Sequence, residues 1–290
     1  MEFILDILLE AVIDTAKLLP FLYLTYLLME YLEEKAQAHT VELVKKTGRM
    51  GPLAGGLVGI LPQCGFSAAA SSLYAGGVIT LGTLLAIFLS TSDEMLPIFI
   101  SETVPAGTIL KILFTKAGFA IITGFAIDLL NRVRHAGKKG TEERHIHDLC
   151  EQDHCHCEEG NIFFSALRHT LQIALFIFLI SLVIGFLIEF IGEEALGNVL
   201  VNRPVAGVLL AGLVGLIPNC AASVMITELY LKGILGAGQM MAGLLVGAGV
   251  GLLVLFRSHR HPVKNLQIMG VLYICGVFWG LVIELLKISF

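Results

Sequence analysis

Seven long apolar stretches constrain the fold of this 290-residue chain more than any other feature of its sequence. They cover residues 4–32, 50–76, 78–101, 108–131, 162–191, 205–256 and 265–286. A helix needs only about 20 apolar residues to cross a bilayer, so the 205–256 stretch must contain more than one segment. Backbone inside lipid has to satisfy its hydrogen bonds internally, which favours helices. We therefore expect an all-α polytopic membrane protein.

The composition supports this expectation. Hydrophobic residues make up 56% of the chain and charged residues only 15%, whereas soluble domains carry about 25% charged residues. These values exclude an ordinary soluble globule and a disordered chain, and they argue against nucleic-acid binding. The lipid bilayer is the expected partner. The amino terminus lacks the basic region and the cleavage site of a signal peptide, so the first stretch is expected to remain as a helix.

The two halves of the chain are related by an offset of 156 residues. Gly56–Cys64 (GLVGILPQC) falls on Gly212–Cys220 (GLVGLIPNC), and 12 of the 31 positions from 56 to 86 are identical without a gap. Chance matching of apolar segments rarely aligns Pro, Cys, Ser and Tyr in register. The offset predicts an internal duplication. It divides the chain into a first repeat (1–130), a hydrophilic linker (131–160) and a second repeat (161–290).

Lysine and arginine residues predict opposite orientations for the two repeats. They concentrate in 33–49, 132–144 and 257–264, and they are scarce in 1–6, 101–111, 192–203 and the carboxyl-terminal tail. The basic segments are expected to be cytoplasmic and both termini to lie outside. The halves then form inverted repeats of about five helical segments each, with broken or re-entrant helices. This architecture is typical of secondary transporters. Whether 50–76 and 205–233 are re-entrant or span twice is left open.

Two proline-containing breaks provide the first candidate site. The segments Pro62–Ser67 and Pro218–Ser223 place equivalent polar residues inside apolar stretches. Proline interrupts a helix and frees backbone carbonyls, and polar backbone within lipid occurs where protein or a water-filled cavity receives it. The candidate ligands are Gln63, Cys64, Ser67, Asn219, Cys220 and Ser223. The alternative is a pair of kinked packing helices, each with a buried structural cysteine.

A charged cluster, Ser90–Glu94, provides the second candidate site, with Ser92, Asp93 and Glu94 as its candidate residues. Carboxylates inside the membrane are rare and usually functional. The equivalent segment 246–250 carries no charge, so only one repeat would bind a cation or carry a proton. The alternative is that 90–97 is a loop at the water interface. Asp128 and Glu284 also match by the offset and are interpreted as interfacial anchors.

The linker is rich in metal-binding residues. Its candidate ligands are His145, His147, Cys150, His154, Cys155, His156 and Cys157. Imidazole and thiolate groups bind Zn²⁺ and similar ions, but the spacing does not match a zinc finger. We expect a cytoplasmic segment that collects or senses metal. A solvated linker that binds metal only adventitiously is the alternative.

Several enzymatic signatures are absent from the sequence. It contains no G-x-x-x-x-G-K-[ST], no H-E-x-x-H and no G-x-S-x-G pattern, so neither an ATP motor nor a hydrolase is indicated. We expect no enzymatic activity and no required cofactor, apart from a bound metal ion such as Mn²⁺ or Zn²⁺. A homo-oligomer is compatible with the sequence.

The combination of Leu61–Ser67, Ser90–Pro97, Ile217–Cys220 and the His/Cys-rich linker resembles a family of ten-helix heavy-metal exporters related to the arsenical permeases. Members are often labelled arsenic efflux proteins or manganese transporters. The resemblance covers nearly the whole chain. It implies export of a metal or metalloid across the plasma (inner) membrane.

Three functions remain open at this point. Oxygen ligands and Asp93 suit Mn²⁺, which favours a secondary-active exporter of a divalent metal ion that exchanges protons. Cys64 and Cys220 suit a trivalent or organic arsenical, which would make the protein an arsenical efflux permease. A membrane metal sensor that uses the linker is the third alternative.

Overall fold

The computed structural model describes residues 50–61, 64–92, 95–135, 162–191, 204–259 and 261–290, together with helical positions between residues 8 and 27. Within these ranges all regular secondary structure is helical and no strand occurs. The all-α expectation is therefore confirmed. The linker 136–161, which holds every predicted linker ligand, lies outside the described residues.

The helices follow one another in a simple order along the chain. We number them α1 (Gly51–Val58), α2 (Cys64–Ala75), α3 (Leu81–Ser90), α4 (Met95–Ser101), α5 (Ala106–His135), α6 (Ile162–Ile191), α7 (Pro204–Gly215), α8 (Cys220–Leu231), α9 (Ala237–Val246), α10 (Val250–Ser258) and α11 (Pro262–Leu285). Helix α6 has the bounds of the fifth predicted apolar stretch. The 205–256 stretch contains four helices, α7 to α10, because glycine, proline and polar residues interrupt it.

The helix bounds obey the same 156-residue offset as the sequence. Helices α2 and α8 begin and end at equivalent positions, as do α3 and α9, and the first residues of α5 and α11 are also equivalent. The turns between them match as well, since Gly77 and Gly233 have φ angles of 74° and 71°. Only glycine adopts this left-handed conformation without strain. The opposite orientation of the two repeats stays a prediction.

Among the residues that the structure describes, four helical stretches are long and apolar enough to cross a membrane by length and composition. Two of them, Leu81–Ser101 and Ala237–Ser258, are broken helices formed by α3 with α4 and by α9 with α10. Their apolar windows are 75% and 78% buried within the protein, against 44% and 33% for Ala106–Val133 and Pro262–Leu285. The broken helices are therefore central, and α5 and α11 expose more of their surface.

The two repeats pack together through equivalent helices, each of which contacts the second half of the other repeat's broken helix. Helix α2 of the first repeat packs on α10 of the second, and α8 of the second packs on α4 of the first. The hydroxyl of Ser71 donates a 2.6 Å hydrogen bond to the carbonyl oxygen of Gly251 across this contact. At another contact, Trp279 Nε1 donates to Thr123 Oγ1 at 2.8 Å. These last two residues are equivalent under the 156-residue offset, so the two repeats contact each other here through matching positions.

Asp128 has a more specific role than interfacial anchoring. Its carboxylate accepts hydrogen bonds from the backbone N–H of Gly82 at 2.9 Å and from the hydroxyl of Thr80 at 2.7 Å. Both donors lie at the amino terminus of α3, where a carboxylate satisfies unpaired N–H groups and the helix dipole. Glu284 lies beside Gly236 and Gly238 at the equivalent end of α9. The two acidic residues thus position the central broken helices.

Candidate site at the breaks of the central helices

The first break separates α3 from α4 in the middle of a membrane-capable stretch. Helix α3 ends at Ser90, and the side chains of Thr91 and Ser92 are 4% and 2% exposed. The hydroxyl of Thr91 donates to the carbonyl oxygen of Ile87 at 2.7 Å, and that of Ser92 donates to Ser90 at 3.0 Å. Hydroxyl groups that bond back to the preceding turn compete with helix continuation. The described part of this break, Thr91 and Ser92, is therefore buried inside the protein.

The second break separates α9 from α10 at Gly247–Gly249. The N–H of Ala248 donates to Val246 O at 2.8 Å, a shorter-range contact than the helical bond back to Leu244 O. Gly249 has a φ angle of 52°, which only glycine adopts without strain. Because the helical ladder stops here, the carbonyl of Leu244 can accept a hydrogen bond from another group.

A cavity lies where the two breaks meet. Its lining comes from the end of α3, the start of α4, the turn before α8 and the end of α9. The polar side chains in this lining belong to Thr91, Ser92, Asn219 and Ser223. Helices from both repeats therefore line one small, partly open cavity with hydroxyl and amide groups, an arrangement that is typical of transporters with broken helices.

Lys116 connects the two breaks. This residue lies on α5, is 0% exposed, and its ammonium donates to the carbonyl oxygen of Thr91 and, at 3.1 Å, to that of Leu244. Both acceptors line the cavity, and each lies at the carboxyl end of a broken helix. The carboxyl end of a helix carries partial negative charge, so two helix ends stabilise one buried cation here.

Only some of the predicted site residues line the cavity. Ser92, Asn219 and Ser223 share the cavity. Ser67 is fully buried, but its Cβ lies against Gly251 at the contact between α2 and α10. Cys64 and Cys220 begin helices α2 and α8 at equivalent positions, and their side chains lie outside the described atoms. Gln63, Asp93 and Glu94 lie outside the described residues.

Sequence reasoning missed Lys116. Its signal was a lysine near the middle of the 108–131 apolar stretch, where a charge is costly and usually functional. The equivalent residue in the second repeat is Leu272, so the charge breaks the internal symmetry just as Asp93 and Glu94 do. By contrast, Glu228 forms an exposed ion pair with Lys232 at 3.2 Å, away from the cavity lining.

Ligand clusters are scarce in the part of the chain that the structure describes. No group of three or more His, Cys, Asp or Glu side chains lies close enough there to hold a metal ion. Within that part, the cavity offers hydroxyl, amide and carbonyl oxygens. The carboxylates nearest to it in sequence are Asp93 and Glu94, which follow directly after Ser92.

Comparison with known proteins agrees with the resemblance drawn from the motifs. The profile of the ArsP_2 family, described as "Putative, 10TM heavy-metal exporter", matches residues 4–194 and 158–289. Searches of the curated proteins and of the solved structures found no match. The two profile matches together extend over nearly the whole chain. This multi-pass membrane protein therefore belongs to the ten-transmembrane heavy-metal exporter family.

Proposed function

We propose that the protein is a secondary-active exporter of a divalent metal ion, Mn²⁺, that exchanges the metal for protons. The observation that carries the proposal is the cavity between the breaks of α3–α4 and α9–α10, with its hydroxyl and amide groups. Transporters of this general architecture bind their substrates near the bilayer midplane, where discontinuous helices from two repeats meet. The family membership supports a metal ion as the substrate.

The donor set favours a hard cation. Carboxylate, hydroxyl and carbonyl oxygens suit Mn²⁺ better than they suit soft metals. In our proposal Asp93 provides negative charge, Gln63, Asn219 and the two cysteines complete the ligand shell, and Ser67, Ser92, Ser223 and Glu94 support it. The carboxyl ends of α3 and α9 already surround one cation, the ammonium of Lys116. An environment that stabilises an ammonium ion also suits a metal cation.

An ion gradient is the proposed energy source. The sequence has no P-loop, and a secondary transporter draws instead on the movement of a second ion. Intramembrane carboxylates commonly carry protons in pumps and transporters. Asp93 or Glu94 therefore provides a site that holds either a proton or the metal.

An arsenical is the competing substrate. Cys64 and Cys220 occupy the first positions of the equivalent helices α2 and α8, and the first turn of α8 contributes Ala222 and Ser223 to the cavity. Thiolates are soft ligands that suit trivalent arsenic. An uncharged arsenite, however, would not require the carboxylate of Asp93.

Transport into everted membrane vesicles separates these alternatives. We would compare Mn²⁺ with arsenite for the wild type, Asp93→Asn and the double variant Cys64→Ser/Cys220→Ser. Cys275→Ser is the matched thiol control, because this half-buried cysteine lies on α11 outside the cavity lining. Loss of Mn²⁺ accumulation in Asp93→Asn supports the proposal. Arsenite accumulation that only the double cysteine variant loses would instead assign the protein to arsenical efflux.

The linker is proposed as a metal-collecting segment rather than the functional centre. Its histidines and cysteines would raise the local metal concentration at the cytoplasmic face. Deleting 145–157 should therefore shift the metal concentration that gives half-maximal transport and leave the maximal rate nearly unchanged. A metal sensor would lose its response entirely, and a chain that transports nothing with or without the linker would favour that third function.

A further inference from the structure

A row of hydroxyl groups follows one face of α2. Ser67, Ser71 and Tyr74 are spaced by four and three residues, so they share one side of the helix, and all three are buried. We call them the α2 row. It faces α10 of the other repeat, because Ser67 lies against Gly251 and the hydroxyl of Ser71 donates to the carbonyl oxygen of Gly251 at 2.6 Å. Gly249, two residues earlier, lines the cavity, so the α2 row begins beside it.

The other end of the α2 row meets a polar cluster after α10. The ring centroids of Tyr74 and His259 are 5.7 Å apart, and His259 Nδ1 donates to Asn265 Oδ1. His259 belongs to segment 257–264, whose basic residues predict the cytoplasmic side. From Ser67 to Tyr74 the helix rises about 10 Å. This is a large part of the distance of about 15 Å from the bilayer midplane to the edge of its hydrocarbon core.

Ser258 is a separate indication that the contact between α2 and α10 receives a polar ligand. It lies seven residues after Gly251 and therefore on the same face of α10. Its side chain is only 6% exposed, and its Oγ has no hydrogen-bond partner among the residues that the structure describes. A buried polar group of this kind requires an explanation, such as a water molecule or an ion that binds it.

The second repeat carries an equivalent row on α8. Its members under the 156-residue offset, which we call the α8 row, are Ser223, Thr227 and Tyr230. Ser223 lines the cavity. At the other end, the ring centroids of Tyr230 and Phe99 are 6.4 Å apart, and Tyr230 also contacts the backbone of Phe290. Phe99 and Phe290 lie beside or within segments with few basic residues, which predicts the outer side. The α8 row therefore leads from the cavity toward the opposite face of the membrane.

We propose that the two rows are the two half-pathways of metal transport, the α2 row from the cytoplasm to the cavity and the α8 row from the cavity to the outside. This inference rests on the proposed function. Hydroxyl and carbonyl oxygens replace the hydration shell of a hard cation as it moves through protein. Each row lies where one repeat packs on the other, so rocking of the repeats opens one row while the other stays closed. Both are closed in this structure, since Ser71 and Thr227 are fully buried.

A purely structural role is the alternative. Serine and threonine commonly join membrane helices through hydrogen bonds, and Ser71 and Thr227 also donate to the preceding turn, to the carbonyl oxygens of Ser67 and Ser223. The unpartnered hydroxyl of Ser258 contributes nothing to such a contact. The two roles also differ in accessibility, because a structural contact stays closed to both sides of the membrane and a half-pathway opens to one side.

Cysteine labelling measures this accessibility in the full chain. Ser71→Cys and Thr227→Cys would be treated with a charged thiol reagent that does not cross the membrane. Everted vesicles present the cytoplasmic face to the reagent, and right-side-out vesicles present the outer face. Mass spectrometry of the peptide that contains each new cysteine gives its labelling rate separately from the native cysteines. The matched controls are Ser72→Cys on α2 and Met225→Cys on α8, two buried positions on other sides of these helices.

We expect Ser71→Cys to react from the cytoplasmic face about tenfold faster than Ser72→Cys, because the rate follows the fraction of molecules in which the position is open. Thr227→Cys should exceed Met225→Cys by a similar factor, but from the outer face. The inference is overturned if the row positions react no faster than their controls, or if both react from the same face. Labelling is measured without transport. A wild type that moves no Mn²⁺ therefore overturns the proposed function, whereas the labelling pattern decides the pathway.

Discussion

The two helix breaks occupy equivalent positions but differ in chemistry. The first, Thr91–Glu94, carries two hydroxyls and two carboxyls, whereas its counterpart, Gly247–Val250, carries no polar side chain. Lys116 of the first repeat likewise corresponds to Leu272 of the second. The duplicated scaffold thus provides two interruptions of the helical backbone, while the charged groups belong to one repeat. In our proposal the second repeat contributes backbone carbonyls, Asn219 and Ser223 to a site whose charge comes from the first.

The largest expected effect follows from removing the charge that distinguishes the repeats. Asp93→Asn should reduce Mn²⁺ transport to the background of empty vesicles, because the amide cannot neutralise a divalent cation or carry a proton. Glu228→Gln is the control, since this carboxylate is exposed and pairs with Lys232. Transport should be measured as initial rates in vesicles with matched protein content. Equal rates for Asp93→Asn and Glu228→Gln would mean that the first break is not the charged centre.

A stability experiment tests what the two repeats share. A Cβ at Gly59 would collide with Ser90 and the Ile87 carbonyl, and one at Gly215 would collide with the backbone of Gly243. Gly59→Ala and Gly215→Ala should each destabilise the protein by about 1–3 kcal/mol, because backbone cannot move aside without separating two helices. Thermal unfolding in detergent would measure this.

Gly118→Ala is the matched control for the glycine variants. Nothing lies within 4 Å of a Cβ at Gly118 on α5, so alanine there should be neutral or slightly stabilising. If only one of the two crossing glycines proved sensitive, the helix crossings of the repeats would differ in packing as well as in charge.

The capping of the central helices provides a smaller contrast between the repeats. Asp128 accepts two hydrogen bonds at the amino terminus of α3, so Asp128→Ala should cost about 1–2 kcal/mol. At the equivalent end of α9, Gln239 Oε1 accepts the N–H of Gly236 at 3.0 Å. Glu284→Ala should therefore cost less than Asp128→Ala. Denaturation of the two variants under the same conditions would compare them, and a larger loss for Glu284→Ala would contradict the assignment.

The smallest expected effect concerns the hydrogen bond between Thr123 and Trp279, two residues that are equivalent under the offset. Thr123→Val keeps the shape of the side chain and removes the acceptor for Trp279 Nε1. It should cost about 1 kcal/mol, the ordinary net contribution of one hydrogen bond, and it should change tryptophan fluorescence, because Trp279 is the chain's single tryptophan. Thr108→Val, at a partly exposed position near the start of the same helix, is the control. An unchanged emission spectrum for Thr123→Val would argue against this contact between the repeats.

Much of the fold was predictable from the pattern of apolar residues. The α6 bounds, the helical class, the break after Ser90 and the break before Cys220 all follow from periodicity, proline and polar residues inside apolar stretches. The 156-residue offset predicted equivalent helices in the two halves. The packing of α2 on α10 and of α8 on α4 was not predictable. Helices of similar apolarity do not reveal from their sequences which neighbours they will contact.

The site was predictable only in part. Asn219, Ser223 and Ser92 were identified from the polar residues at the breaks, and they do share one cavity. Ser67 was identified by the same reasoning, but it lies against Gly251, because α2 packs on α10 of the other repeat. Lys116 was missed, since a lysine within an apolar stretch is also compatible with a position near the membrane surface, where its side chain would reach water.

The sequence by itself determined the membrane class, the duplication and the concentration of charge in the first repeat, because these depend on composition and on residue order. Tertiary structure alone decided that the ends of α3 and α9 meet at one ammonium group, although Thr91 and Leu244 are 153 residues apart. The physical reason is that a broken helix leaves carbonyls without partners, and only packing determines which donor reaches them. That donor is Lys116.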